Sequence, residues 1–366
     1  MQPTRPLVAL LDGRDCSIEM PVLRDLATVA FCDALSVAEV HEKVWREFHW
    51  CFSHGVGNSG PRAERSHSGH HVVHDSTRQV RAGPVQAAAA AGIWVSSISG
   101  ACVEETADST ISLVLNLYRR TARIAASAVA ELGSEYGWPI SIDRLAELAQ
   151  GATRIRGQTL GIVGFGRVGT AVALRAKAFG FEVVAFDPNL PDGADRGLGV
   201  SRADSLEGLL AAADCLSLHC PPTAANRGLL SRRLIRECAK KTGFYLINTC
   251  SVSLMDELAV AEALKDGTIR GLGLDTPDGS GAMLAELGLN GYSATSDLEG
   301  SPAPRPQQPQ LNIMVTPGSA FFSDQSHLEL RRLAAEEIKR GLTGPLPAAL
   351  QFCVNCNGVE GGDRPV

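Results

Sequence analysis

Short apolar runs alternate with helix-length segments from about residue 158 to residue 317. The runs are "TLGIVGFG", "EVVAFDP", "DCLSLHC", "GFYLINT", "IRGLGLD" and "NIMVTPG". Continuous apolar strands separated by helices are typical of a parallel sheet that is covered by helices on both faces. We therefore predict a doubly wound α/β fold for this part of the chain.

The first hundred residues predict a second, smaller α/β unit. Strand candidates are "LVALLD", "ATVAF" and "GIWVSS", with the helix-patterned segment "SVAEVHEKVW" among them. One long helix, "VEETADSTISLVLNLYRRTARIAASAVAEL", is predicted to join the two units, because acidic residues are favoured where a helix begins. Residues 55–83 and 278–310 lack apolar periodicity and are predicted to be irregular.

Length and charge limit the possible classes of protein. The chain has 366 residues, of which 45% are hydrophobic and 20% charged, enough for two domains. Its net charge of -6 argues against direct binding to a nucleic-acid backbone. Because the chain has neither a long apolar run nor a signal-like N-terminus, we expect an intracellular protein without a membrane span.

Two groups of cysteine and histidine residues are candidate metal or redox sites. The ten cysteines are scattered, which favours reduced thiols over a disulfide framework. Cys353 and Cys356 have redox or zinc spacing, but no second CxxC pair accompanies them. Histidines and a cysteine also cluster near the first irregular stretch: His49, Cys51, His54, His67, His70, His71 and His74. That stretch is rich in Gly and Ser and predicts no helix, so we predict no metal site.

The strongest chemical motif is "GIVGFGRVG", in which Gly164, Gly166 and Gly169 form GxGxxG directly after a strand. Such glycines let backbone N–H groups and a helix N-terminus approach a pyrophosphate. Asp187 follows eighteen residues after Gly169, at the end of the next predicted strand, where a carboxylate can bind both ribose hydroxyls. A carboxylate there disfavours a 2′-phosphate, so the motif predicts NAD(H) rather than NADP(H).

Several long runs resemble the C-terminal-binding protein transcriptional corepressors, which are built on the D-isomer-specific 2-hydroxyacid dehydrogenase fold. The runs include "VEETADSTISLVLNLYRR", "TRIRGQTLGIVGFGRVGTAVALRAKAFGF" and "EEIKRGLTGPLP". The resemblance fails over about residues 46–90, is loose around 123–150 and is poor over 276–310. It implies a Rossmann domain at 104–317, a flavodoxin-like small domain from 1–103 plus 318–350, and a tail at 351–366.

The glycine motif and the resemblance together imply a set of residues that contact NAD. The set is Gly164, Gly166, Arg167, Val168, Gly169, Asp187, Cys220, Pro221, Asn226, Thr249, Cys250, Ser251 and Asp275. Cys220, Pro221 and Asn226 belong to the strand-end loop "HCPPTAANRG". A further family loop, rich in glycine, corresponds to "VVHDSTRQV", where Thr77 is present but the glycines are absent.

The family's three catalytic side chains are replaced in this chain. By resemblance, the substrate-binding arginine corresponds to Ser251, the acid–base histidine to Gly318 and its glutamate partner to Ser280. A positioned acid–base group contributes roughly 10²–10⁴ in rate, and a charge-stabilising donor about 10²–10³. His219 can be considered as a substitute, but its place in the family pattern favours a packed strand-end residue.

The resemblance also implies a groove for peptides that carry a Pro-x-Asp-Leu-Ser motif. The matching positions are Ala30 on the strand "ATVAF" and His41 and Val44 on the helix "SVAEVHEKV". Extended peptides gain affinity from hydrogen bonds to a sheet edge and from side-chain pockets. Periodicity alone is equally compatible with Ala30 and Val44 being core residues.

The combined hypothesis is an NAD(H)-binding corepressor-type scaffold with weak or absent dehydrogenase activity. It is expected to bind short-motif transcription factors and repressors, to form a homodimer, and to occur in nucleus and cytoplasm. The alternative is an active NAD-dependent D-2-hydroxyacid dehydrogenase with a rearranged site. A third possibility is a chain whose irregular stretches prevent stable folding.

Overall fold

The computed structural model describes most of the chain, in ten stretches. They are residues 5–10, 15–31, 50–54, 71–75, 86–90 without 87, 92–98, 100–131, 141–275, 281–289 and 311–356. The chain divides into two compact units, residues 1–102 with 322–366, and residues 103–321.

The larger unit is built on a parallel sheet of seven strands. The strands are β6 (Thr159–Val163), β7 (Glu182–Phe186), β8 (Ser201–Arg202), β9 (Cys215–Leu218), β10 (Phe244–Asn248), β11 (Ile269–Asp275) and β12 (Ile313–Thr316). Their order in the sheet is β12-β11-β10-β9-β6-β7-β8. This order places the first strand of the unit, β6, between β7 and β9, which is the doubly wound Rossmann arrangement that the apolar runs predict.

Helices accompany this sheet. They are α2 (Val103–Arg119), α3 (Thr121–Glu131), α4 (Ile142–Leu148), α5 (Arg167–Ala178), α6 (Ala194–Gly197), α7 (Leu206–Ala212), α8 (Arg232–Cys238), α9 (Glu257–Asp266) and α10 (Gly281–Glu286). Two apolar clusters pack around the central strands, one containing Leu216 and Leu246 and the other Ile162 and Ile247, all without solvent exposure. The central strands are apolar throughout because helices cover both faces of the sheet.

The smaller unit contains a five-stranded parallel sheet. Its strands are β1 (Leu7–Leu10), β2 (Thr28–Phe31), β3 (Trp50–His54), β4 (His71–Asp75) and β5 (Trp94–Ser97), in the order β2-β1-β3-β4-β5. This is the flavodoxin-like order. Helix α1 (Met20–Leu23) and the C-terminal helix α11 (Asp324–Thr343) belong to the same unit, so both chain ends contribute to it.

A buried carboxylate fixes the segment after α11 to this unit. Glu337 has no solvent exposure, and its Oε1 accepts hydrogen bonds from the Ser96 hydroxyl at 2.8 Å and the Phe352 N–H at 2.9 Å. Its Oε2 accepts from the Gln351 N–H at 3.1 Å and from the Arg340 guanidinium at 2.8 Å. Burying a carboxylate is favourable only when its oxygens are paired in this way.

The start of the predicted tail continues this arrangement. The Val354 N–H donates to the Val95 carbonyl at 2.8 Å. The Asn355 side-chain oxygen accepts from the Val95 N–H at 2.8 Å, and its NH2 group donates to the Ile93 carbonyl at 2.8 Å. Residues 351–356 therefore satisfy backbone groups along β5. Cys353 and Cys356 form a disulfide here, so the expectation of reduced thiols is wrong for this pair.

Three sequence expectations need correction. The long helix predicted from Val103 is two helices, α2 and α3, which are separated at Arg120 (φ 55°). No glycine or proline marks the break. The Asn116 carbonyl accepts from the Arg120 N–H, and the Asn116 side-chain oxygen accepts from the Ala122 N–H. Within the two stretches predicted to be irregular, residues 71–75 form strand β4 and residues 281–286 form helix α10.

Some of the predicted segments belong to residues that the structure does not describe. The predicted helix "SVAEVHEKVW" and most of residues 55–83 and 278–310 belong to the undescribed part. Of the clustered histidines, His49, His67 and His70 are also undescribed. In the part of the chain that the structure describes, no helix is both long and apolar enough to cross a bilayer.

The Glu337 hydrogen bonds predict a large effect of a conservative substitution. Glu337→Gln removes the charge and replaces one acceptor oxygen by an NH2 group; at the Oε2 position this leaves the Gln351 N–H and the Arg340 guanidinium without their acceptor. We expect a loss of roughly 2–4 kcal/mol in the free energy of unfolding of the small unit, measured by urea denaturation. Glu336→Gln, whose side chain on the same helix is partly exposed beside Arg332, is the control and should change it by less than about 0.5 kcal/mol. Equal effects would contradict this account.

Candidate functional site

The candidate site lies at the carboxyl ends of β6, β7, β9, β10 and β11. The chain leaves β6 toward β7 and returns to the other side of β6 with β9, so the strand order reverses between β6 and β9. Ligands of open α/β sheets bind in the crevice at such a reversal. The loops after these five strands carry the residues predicted to bind NAD.

The turn after β6 is a backbone cradle. Gly164 has φ +88°, and a Cβ at this position would lie 2.7 Å from the Cys220 N atom. At Gly169 a Cβ would lie 2.2 Å from the Gly164 carbonyl oxygen, so only glycine lets α5 pack against the turn. At Gly166, the N-cap of α5, an added Cβ would meet no described protein atom within 4 Å. The first turn of α5 is thereby open to an anion, which the helix dipole favours.

Asp187 ends the strand next to the cradle and is linked to it. Its Oδ2 accepts from the Phe165 N–H at 2.9 Å and its Oδ1 from the Asn189 N–H at 2.9 Å. A carboxylate has about four acceptor sites, so each oxygen keeps one for a further donor such as a ribose hydroxyl. The carboxylate also borders a cavity of about 620 Å³, whose wall includes Arg196 and Arg202.

The loop after β9 is folded around one asparagine. The Asn226 amide donates to the Pro221 carbonyl at 2.6 Å, and its oxygen accepts from the Thr223 N–H at 2.6 Å. The Cys220 sulfur lies 4.0 Å from the same amide. Cys220 is half-buried, whereas Pro221 is exposed.

A second asparagine folds the loop after β10. The Asn248 oxygen accepts from the N–H groups of Cys250 at 3.0 Å and Ser251 at 3.1 Å, and its amide donates to the Ser251 carbonyl at 2.8 Å. The Ser251 hydroxyl is 2.8 Å from the Ser253 hydroxyl. Thr249 forms a hydroxyl pair with the buried Thr110 of α2 at 3.1 Å. Ser251, which occupies the position of the family's arginine, thus brings no charge to the loop.

Asp275 at the end of β11 holds the loop after β12. Its Oδ1 accepts from the Thr316 hydroxyl at 2.6 Å and from the N–H groups of Gly318 at 3.0 Å and Ser319 at 2.9 Å. Its Oδ2 accepts from the Ala320 N–H at 2.8 Å. Four protein donors therefore bind a residue that the sequence assigns to NAD contact, and most of its acceptor capacity is used within the protein.

Gly318, at the position of the family's histidine, has φ +81°. L-amino acids with a side chain rarely adopt this backbone conformation. Where the family has its acid–base histidine, the loop after β12 therefore has a backbone conformation that favours glycine. Ser280, at the position of the glutamate, lies outside the described residues.

His219 is not equipped to replace the missing histidine. Its Nε2 lies 2.7 Å from the Ser217 hydroxyl, and its Nδ1 is buried without a hydrogen-bond partner. Burial lowers the pKa of His219 to about 4. The imidazole is therefore neutral at pH 7 and is a poor proton donor at that pH.

The other predicted residues occupy separate places. Arg167 and Val168 begin α5, where Arg167 is exposed and Val168 packs on the apolar core. Ala30 is half-buried on β2 in the smaller unit. His41, Val44 and Thr77 lie outside the described residues. The sequence did not predict that the side chains of Asn226 and Asn248 hydrogen-bond the backbone of their loops. The one indication in the sequence is that each asparagine follows shortly after a strand, where an asparagine side chain often closes a turn.

Comparison with known proteins agrees with this geometry. Residues 111–288 match the family "D-isomer specific 2-hydroxyacid dehydrogenase, NAD binding domain". The chain is 39% identical to C-terminal-binding protein 1 of Caenorhabditis elegans over 99% of its own length and 47% of the relative's. It is 29% identical to C-terminal binding protein AN of Arabidopsis thaliana over 91% of its own length and 48% of the relative's. The chain thus spans about half the length of these curated relatives.

Solved structures show the same fold. The holo form of D-mandelate dehydrogenase from Rhodotorula graminis matches with a TM-score of 0.74 and 21% identity, covering 96% of this chain and 98% of that one. The chain therefore shares the fold of this dehydrogenase, and its residues 111–288 match the NAD-binding domain of the D-isomer-specific 2-hydroxyacid dehydrogenases. It is similar to the C-terminal-binding proteins over nearly its whole length.

The cofactor of this domain is NAD, and the residues present fit it. Gly164 and Gly169 form the close turn, Gly166 leaves space before the α5 N-terminus, and Asp187 keeps acceptor sites free. When bound, NAD supplies hydride-transfer chemistry. The described loops would hold its phosphates and ribose, but they carry Ser251 and Gly318 at the positions of the family's arginine and histidine.

The cradle predicts that two neighbouring glycine substitutions act differently. Gly166→Ala places a methyl group where no protein atom lies, so unfolding free energy should change by less than about 1 kcal/mol while NADH affinity falls at least about tenfold. Gly169→Ala forces a methyl group against the Gly164 carbonyl and should destabilise the larger unit by about 1–3 kcal/mol. Thermal melts and NADH fluorescence titrations measure both quantities. Unchanged affinity in a folded Gly166→Ala variant would contradict the proposed cradle.

Restoring the histidine alone should strain the loop. Gly318→His is expected to cost about 1–2 kcal/mol in unfolding free energy because its φ is positive. Ser319→His is the matched control, since Ser319 is exposed and has no positive φ, and its effect should stay within about 0.5 kcal/mol. Chemical denaturation compares the two. A Gly318→His protein as stable as the parent would show that the loop readily accepts a side chain at this position.

Proposed function

We propose that the chain is an NAD(H)-binding corepressor-type scaffold that recognises short Pro-x-Asp-Leu-Ser-like peptides and has little or no dehydrogenase activity. One observation carries the proposal. The turn formed by Gly164, Gly166 and Gly169 has the geometry for a dinucleotide, whereas Ser251 and Gly318 stand at the positions of the family's charged and acid–base residues.

The arrangement of the strand-end loops supports weak activity. Ser251 can donate one hydrogen bond but cannot bind a carboxylate in the bidentate manner of arginine. Gly318 has no proton to transfer, and His219, with its lowered pKa, is neutral at pH 7. Loss of either the acid–base group or the carboxylate-binding group would reduce the rate by about 10²–10⁴.

A strand at the edge of the described sheet in the smaller unit supports peptide recognition. Strand β2 pairs with β1 on one side and is the outermost described strand of its sheet. An extended peptide can add to such an edge through backbone hydrogen bonds, with pockets selecting its side chains. Ala30 lies on this strand. The partners proposed from the resemblance to the C-terminal-binding proteins are transcription factors and repressors that carry the motif.

Apolar side chains on the larger unit support a homodimer. On α3 and α4, Val129, Ile142 and Leu145 are 63%, 84% and 49% exposed. Neighbouring exposed apolar residues are typical of surfaces that bind another protein. We propose that a second copy of the chain covers this helical surface, so that the dimer forms through the nucleotide-binding unit.

Cofactor binding and turnover are tested together with the purified protein. We expect NADH to quench tryptophan fluorescence saturably, and Gly166→Arg, which fills the open space before α5, to abolish this change. Reduction of pyruvate, glyoxylate and phenylpyruvate by NADH should not exceed the rate of the Gly166→Arg variant. Turnover that depends on an intact cradle would instead favour the alternative, an active D-2-hydroxyacid dehydrogenase.

Peptide recognition is tested by fluorescence anisotropy with a labelled Pro-x-Asp-Leu-Ser peptide and a scrambled control. Ala30→Glu introduces a bulky charged side chain on β2 and should weaken binding by at least about tenfold, with NADH affinity unchanged. Asp25→Lys is the surface control, because Asp25 is exposed and precedes the strand. Equal binding of the two peptides, or of the Ala30→Glu and Asp25→Lys proteins, would contradict the groove.

A further inference from the structure

Strand β5 is an edge strand of the smaller unit, and residues near the C-terminus cover its free side. β5 pairs with β4 on one side and is the outermost described strand of its sheet. On the other side the Ser97 N–H donates to the Phe352 carbonyl at 2.9 Å, and the Val354 N–H donates to the Val95 carbonyl at 2.8 Å. Residues 351–356, which we call the strap, therefore add a short antiparallel segment to the sheet.

The first half of the strap is held by helix α11. The buried Glu337 carboxylate accepts hydrogen bonds from the Gln351 N–H at 3.1 Å and the Phe352 N–H at 2.9 Å. The Arg340 guanidinium lies over the Phe352 ring, 5.6 Å from its centroid. These contacts fix residues 351 and 352 independently of the cysteines that follow.

The second half of the strap is held to β5 by one side chain. Asn355 is only 6% exposed, and its side-chain oxygen accepts from the Val95 N–H while its NH2 group donates to the Ile93 carbonyl, both at 2.8 Å. An asparagine side chain carries the same donor and acceptor as a peptide group. Asn355 therefore takes the place of a neighbouring strand's backbone, which requires the strap to turn its side chain toward β5.

The disulfide of Cys353 and Cys356 closes this turn. It encloses only Val354 and Asn355, and the Cα atoms of the two cysteines are 5.9 Å apart. The Cys353 Sγ lies 3.7 Å from the Asn355 Oδ1, so the bond is adjacent to the contacts with β5. A covalent closure removes conformations that a detached segment would otherwise adopt. The disulfide thereby favours the strap that is attached to β5.

The cysteine pair fits thiol–disulfide exchange better than metal binding. Both cysteines are half-buried, and Val354 between them is 48% exposed, so the turn is at the surface of its unit. A structural zinc ion takes four ligands, and the described residues contain no cluster of three or more side chains that could hold a metal. The CxxC spacing is the one that disulfide oxidoreductases use.

We propose that Cys353 and Cys356 are a reversible redox site for dithiol reductants, and that its reduction releases the second half of the strap from β5. A thiolate of the dithiol attacks one sulfur of the pair, the S–S bond breaks, and the other cysteine leaves as a thiolate and takes up a proton. The second thiol of the reductant loses its proton and attacks the mixed disulfide, which frees the first cysteine as a thiol. Two electrons pass from the dithiol to the protein disulfide.

Reduction opens the edge of β5 locally. Once Asn355 leaves, the N–H and carbonyl groups of Val95 and the carbonyl of Ile93 lose their partners on this side of the strand. The Ser97 N–H keeps its partner, because Glu337 holds Phe352 in both redox states. The two amides of the same strand therefore respond differently to the state of the disulfide.

The proposal is tested on the full chain in mixtures of reduced and oxidised dithiothreitol. After free thiols are blocked, peptide mass mapping without reduction measures the fraction of Cys353 linked to Cys356. We expect the link to open and to form again while the protein stays folded. Residue-resolved amide hydrogen exchange should be at least about tenfold faster at Val95 in the reduced protein and unchanged at Ser97.

Variants separate the disulfide from other effects of the reductant. The double variant Cys353→Ser, Cys356→Ser should exchange Val95 at the rate of the reduced parent, with or without dithiothreitol. Asn355→Ala should keep the link but exchange Val95 rapidly in both states. Cys238→Ser, which alters a free cysteine of the other unit, should behave as the parent chain does.

Three outcomes would overturn the proposal. One is a Cys353–Cys356 link that opens or forms only when the protein is unfolded. Another is equal hydrogen exchange at Val95 in the linked and the reduced parent protein. The third is a double serine variant in which Val95 is as well protected as in the linked parent.

Discussion

The close packing of α5 against the turn after β6 is the constraint on which the nucleotide site depends. A Cβ at Gly169 would stand 2.2 Å from the Gly164 carbonyl oxygen, so the helix N-terminus reaches its place only because this residue is glycine. The Asp187 carboxylate then binds the Phe165 N–H and joins the ends of β6 and β7. Backbone geometry and one carboxylate thus define the cradle, and neither depends on the side chains that perform hydride chemistry in the family. Binding and catalysis are therefore separable in this fold.

The loops that would carry catalysis are held by neutral or internally paired groups. Asn248 folds the loop that contains Ser251, and Asp275 binds four donors of the loop that contains Gly318. These hydrogen bonds satisfy polar groups that would otherwise be left unpaired at the sheet edge. The loops are consequently well defined although the family's arginine and histidine are absent. This order is consistent with a site that holds a ligand without transforming it.

Apolar periodicity predicted most strands because parallel strands covered on both faces must be apolar throughout. The nucleotide site followed from the spacing of Gly164, Gly166, Gly169 and Asp187, which reflects the length of one strand–helix–strand unit. The break at Arg120 was not predictable, because it depends on hydrogen bonds from Asn116 rather than on a helix-breaking residue. Strand β4 has little apolar pattern and forms through pairing with β3 and β5. The disulfide of Cys353 and Cys356 likewise depends on the fold of residues 351–356 along β5.

The central claim is that this cleft binds NAD(H) but provides no charged clamp for a keto-acid carboxylate. Calorimetric titration of NADH with and without oxamate, a non-reactive keto-acid analogue, tests it most directly. A dehydrogenase with an arginine clamp binds oxamate on top of NADH, and by linkage each ligand then tightens the other. The account predicts saturable NADH binding whose affinity oxamate leaves unchanged. Absence of NADH binding, or an NADH affinity that rises with oxamate, would contradict it.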